Sequence, residues 1–165
     1  MGTVIEGKSK NVLVTPVIQA AAYASGDQLG ELFSLNDALD DSSGTGGILS
    51  LVVLDKAKQK AAIDVLLFSE KPTLVSSDNG ALDISDAEMA QKFIGKISIS
   101  TTDYADLANC SIACLTQVAL LVNSVKDANN GNPDGKIVWG ILQSRGTPTY
   151  TSTSDLVLRV GVIQD

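Results

Sequence analysis

The residues Gly2-Thr3-Val4-Ile5-Glu6-Gly7-Lys8-Ser9 match the phosphate-loop pattern G-x-x-x-x-G-K-S at every position. Such a loop holds phosphates only where it follows a buried strand and opens a helix whose first amides face the anion. Here the match runs instead into Asn11-Val12-Leu13-Val14-Thr15-Pro16, a β-branched stretch ended by proline. It reads as a flexible arm, and neither a nucleotide nor any other cofactor is expected.

Other chemistry-bearing residues are sparse. The chain contains no histidine, which removes Ser–His and Cys–His nucleophile pairs, imidazole bases and most catalytic zinc sites. Asp37, Asp40 and Asp41 cluster in a polar stretch that promises little desolvation to shift a carboxyl pKa. The run Asp127 to Gly135 offers oxygen ligands, but it lacks the glycine at the sixth position and the glutamate at the twelfth that order an EF-hand calcium loop. Cys110 and Cys114, four apart on an extended segment, would have Cα atoms roughly 13 Å apart, too far for a disulfide. They read as two small buried hydrophobes, with no further metal ligands nearby. No catalytic, cofactor or metal residue is assigned, and the chain is not expected to be an enzyme.

The elements that would position any site are mostly strands. Eight apolar or alternating runs are bounded by Gly, Pro, Asn, Asp or Ser: Asn11 to Val14, Gln28 to Leu35, Gly47 to Leu54, Ala61 to Phe68, Lys96 to Thr101, Ile112 to Val122, Lys136 to Ser144 and Asp155 to Ile163. Asp55 to Lys60 and Gly146 to Tyr150 read as hairpin turns between the third and fourth strands and between the last two. Ile63, Val65 and Leu67 alternate with Asp64, as on a sheet with one covered face. One helix is predicted, capped by Ser85 with Glu88 three residues on, ended by Gly95 and crossing between sheets. Asn36 to Gly46 and Lys126 to Gly135 read as long solvated loops.

Composition agrees with a single domain of strands. The 165 residues are 44% hydrophobic but only 4% aromatic, so the core must come from Val, Ile, Leu and Ala. A net charge of −7 repels phosphate backbones and anionic lipids, and the apolar runs are too short or interrupted to span a bilayer. Nucleic acid and membrane are therefore not expected partners. The first residues lack the basic start and apolar core of a secretory signal.

The first twenty residues differ from the rest. Val4, Ile5, Val12 and Val14 are apolar but split by glycines and lysines, which suits either an edge strand of the domain or an arm that adds a strand to a neighbouring subunit. In the last strand, Leu156, Leu158, Val160 and Val162 share one face, opposite Val157, Arg159 and Ile163. Val4, Ile5, Val12, Val14, Val157 and Ile163 are the expected partner contacts, with residues 1–20 as arm or edge strand and 21–165 as the sandwich.

Val14-Thr15-Pro16 leading through Ala20-Ala21-Ala22-Tyr23-Ala24-Ser25-Gly26-Asp27-Gln28-Leu29-Gly30, then Leu67-Phe68, the acidic short helix, and Gly146-Thr147-Pro148-Thr149-Tyr150-Thr151 before Asp155-Leu156, follow an order that resembles a group of tailed-bacteriophage virion proteins of marine and cyanobacterial phages. The resemblance implies a jelly-roll-like antiparallel β-sandwich with one short helix. It also implies a cement or decoration subunit on the capsid exterior, assembled in the host cytoplasm, often a trimer, that locks the major capsid protein together. A neck, tail or fibre-attachment subunit is the nearest alternative, and a carbohydrate-binding module using Trp139, Tyr23, Tyr104 and Tyr150 is a more distant one.

Overall fold

The computed structural model describes residues 8–40 and 44–164. These form two antiparallel sheets packed face to face, with one α-helix among the described residues. The first sheet runs β1 (Lys8–Val14), β10 (Leu156–Gln164), β3 (Thr45–Asp55), β7 (Ser111–Leu115) and β6 (Tyr104–Asp106), and β8 (Leu120–Asn123) also pairs with β3. The second runs β2 (Gln28–Leu35), β9 (Val138–Ser144), β4 (Ile63–Phe68) and β5 (Phe93–Ile99). The pairings are nested: β1 lies beside β10, β2 beside β9, β3 beside β7 and β8, and β4 beside β5.

Alternation along each strand builds the core. Val12 and Val14 of β1, Leu51 and Val53 of β3, and Leu158 and Val160 of β10 point inward and are buried, while the residues between them face outward. From the second sheet, Leu29, Ile63 and Leu142 meet them and are fully covered. β-branched and leucine side chains suit such a layer because they pack on a pleated surface with few rotamers to lose.

Both predicted hairpins are instead connections between sheets. The turn after β3 leads to β4 in the other sheet, and the one after β9 leads to β10. Each turn is fastened by a buried aspartate. Asp55 accepts hydrogen bonds from the backbone N–H groups of Ala57 (3.0 Å) and Lys60 (2.7 Å), and Lys58 and Lys60 take positive φ. Asp155 accepts from the N–H groups of Thr151 and Ser152, both at 2.9 Å. Turn residues fix that the chain reverses, but not which sheet it joins.

The predicted strand Ile112 to Val122 is broken into β7 and β8, with Ala119 at φ 49°. Both halves pair with the long β3, on either side of a bulge where the register with β10 shifts and Leu49, exposed, has no register partner on β10. The helix α1 (Asp86–Lys92) starts where expected, with the Ser85 hydroxyl accepting from the Glu88 N–H, but it ends before Phe93, and Gly95 lies within β5. Rather than crossing between sheets, it belongs to the excursion 69–92 that links the neighbouring strands β4 and β5.

That excursion covers the second sheet's outer face. Leu66, Phe68 and Ile141 point outward, yet they are buried beneath Leu74, Leu82, Ile84 and Met89. All six residues of β4 are buried, including Asp64, where the sequence suggested one covered face. Asp64 is tolerated because Ser98 Oγ (2.6 Å), Arg145 Nε (2.6 Å) and Lys96 Nζ (3.0 Å) all donate to it. Burial pushes its carboxyl up, but these bonds outweigh burial and hold it below the ordinary carboxylate range.

Candidate protein-binding face

Among the described residues, nothing comparable covers the outer face of the first sheet. The strand registers place its outward residues in two rows: Leu13 beside Arg159, Val52 and Cys114, and Val157 beside Leu54, Ile112 and Ala105. Leu13 is 62% exposed. Val52, Leu54, Ile112 and Val157 are half-buried, and between them and Arg159 lies a shallow depression of about 210 Å³. Arg159 is exposed and forms no ion pair among the described residues. None of the outward residues on β1, β3, β7 and β10 is acidic. Contiguous apolar surface of this kind usually marks a contact with another macromolecule.

The predicted contact residues divide. Val157 and Ile163 lie on this face, Ile163 being 38% exposed. Val12 and Val14 are taken up by the core of their own chain, so they present no surface, and Leu13 between them does. Val4 and Ile5 lie outside the described residues. Residues 8–14 form an edge strand paired with β10. Sequence reading missed Leu13, Val52, Leu54 and Ile112. The alternation that buries Val12 and Val14 is the signal for Leu13; for the other three, alternation inside an apolar run says nothing of exposure.

The remaining motifs are absorbed by structure. Of the phosphate-loop match, Gly2 to Gly7 lie outside the described residues, and Lys8 and Ser9 open a strand rather than a helix. Asp40 pairs with Lys8 at 2.9 Å and Asp37 with Lys10 at 3.6 Å, whereas Asp41 lies outside the described residues. Their loop is not simply solvated, since Ala38 and Leu39 are buried. In the 126–135 loop, the Asp127 carboxylate accepts from the backbone of Asn129 and the side chain of Asn130, so its oxygens cap a turn. Among the described residues no three carboxylates or thiols converge as a metal site.

The cysteines depart from expectation. Cys114 is exposed on the open face and Cys110 is half-buried, both as free thiols, because the parity that buries Ala113 turns Cys114 outward. The aromatic residues offer little platform for a sugar: Tyr23 and Tyr150 are core residues packed edge to face, with ring centroids 6.0 Å apart. The Tyr104 hydroxyl donates to the Ala61 carbonyl at 3.0 Å. Trp139 lies in the covered cluster, with Lys71 Nζ 5.4 Å from its ring centre.

No protein-family model matches this chain, and no curated protein matches it.

Proposed function

We propose that this chain is a structural subunit of a virus particle, a cement protein bound to the exterior of a tailed-phage capsid and acting by the surface it presents. One observation carries the reading: among the described residues, the sandwich covers one outer face with its own chain and leaves the other apolar and open. The nested strand pairing, which we read as a jelly roll, and the resemblance to phage virion proteins support the particular role. A shell under internal pressure is stabilised by any rigid body that binds only the closed arrangement, and a trimeric subunit would make its second and third contacts effectively intramolecular. None of this needs a catalytic group. The major capsid protein is the proposed partner.

Electron microscopy of the native particle tests the proposal: symmetric density on the shell exterior is expected, together with a trimer of the free chain by light scattering. Particles lacking the chain should release their genome at a lower temperature. Density confined to the neck or tail, or equal release with and without the chain, overturns the capsid assignment.

A further inference from the structure

We infer that the open face of the first sheet docks a different protein chain, one presenting a carboxylate ringed by apolar side chains, with Arg159 as the group that receives it. The inference rests on the shell-binding reading above and names the surface and the partner chemistry.

The argument starts from Arg159. It lines the depression together with Leu13, Val52, Leu54, Ile112 and Val157, and it has no ion-pair partner among the described residues. A guanidinium is always charged and offers a planar fork of donors matched to a carboxylate. Covering this face with a purely apolar surface would strip water from the charge without replacing its hydrogen bonds, which is unfavourable. A second copy docked by the same face does not solve the problem. Among the described residues the face carries no acidic residue, so a two-fold pairing would cover two guanidiniums without bringing a carboxylate to either. Arg159 therefore discourages self-pairing of the face and selects a partner that brings the anion. The flanking apolar residues supply contact area, and the charge sets register.

The test uses shells purified from particles that lack this chain, titrated with the full-length protein. Arg159→Glu and Val157→Asp should bind on the order of thirtyfold more weakly, as expected when a buried charge pair is broken or a charge is placed in an apolar contact. Lys126→Glu, an equal charge change in an exposed loop, should stay within about twofold. Circular dichroism and thermal midpoint confirm that each variant is folded. If the wild type binds but Arg159→Glu and Val157→Asp bind equally well, the docking face is wrong while the shell-binding reading stands. If the wild type does not bind shells, that reading fails, and the face is judged with anilinonaphthalene sulfonate, an apolar ring system bearing one anion. Its fluorescence should rise with the wild type and fall away with both face variants; an unchanged signal overturns the inference.

Discussion

Phe33 on β2 lies directly across from Gly140 on β9, and its ring occupies the space where a β-carbon of residue 140 would stand. Both residues are buried, so the pair is one unit of the core. Gly140→Ala should cost about 1–3 kcal/mol through overpacking, and Phe33→Ala about 3–5 kcal/mol through the cavity it leaves. In Phe33→Ala/Gly140→Ala the smaller side chain makes room for the new methyl, so the double variant should lose less than the sum of the single losses. Urea unfolding of the four proteins measures this coupling.

Asp64 sets a pH dependence. Its carboxyl is held below the ordinary range by Ser98, Arg145 and Lys96 despite its burial. A depressed folded-state value means that the unfolded chain binds the proton more tightly, so the stabilisation is present above the unfolded pKa of about 3.9 and is lost as pH falls through the lower folded value. Asp64→Asn should flatten the acid limb of a stability–pH curve. Lys96 and Arg145 are about half exposed and can return to water, so the loss at neutral pH should be about 1–2 kcal/mol rather than that of a fully buried pair.

Asn132 holds the 126–135 loop on four hydrogen bonds. Its Nδ2 donates to Ser124 Oγ (2.7 Å) and the Val125 carbonyl (2.8 Å), while its Oδ1 accepts from the N–H groups of Lys136 (3.0 Å) and Ile137 (3.1 Å). Asn132 itself is buried, and Asn132→Ala leaves these half-buried and exposed partners without it, so it should cost about 2–4 kcal/mol. Asn132→Asp should also destabilise, because a carboxylate oxygen then faces the Val125 carbonyl, and acid should partly restore it. Thermal unfolding at two pH values distinguishes the variants.

Leu13 and Val12 are neighbours with opposite fates, one 62% exposed and the other buried to 7%. Leu13→Ser should leave stability within about 0.5 kcal/mol, whereas Val12→Ala should cost about 2 kcal/mol. Equal effects in calorimetry would mean that the register of β1 is misassigned.

Much of the sandwich was legible in local pattern. Gln28–Leu35 is a strand at the predicted bounds, the Ser85 cap with Glu88 marks the start of the helix, and the shortage of aromatic residues foretold a core of Val, Leu and Ile. These follow from backbone preference and period-two alternation, which act over a few residues. The absence of histidine is composition alone.

The tertiary structure decided which surfaces remain open. Alternation says that Leu66 and Phe68 share a side of β4, but only the return of residues 69–92 buries them there. The same alternation on β10 gains no such cover among the described residues, so Val157 stays half-buried and Arg159 exposed. The turns after Asp55 and at Gly146 carry no local mark of crossing between sheets, because the strand each one feeds finds its partner far away in sequence: β4 beside β9, and β10 beside β1 and β3. Burial is a property of pairs of distant segments; a residue's neighbours in sequence set the direction of its side chain, and the rest of the chain determines whether water or protein meets it there.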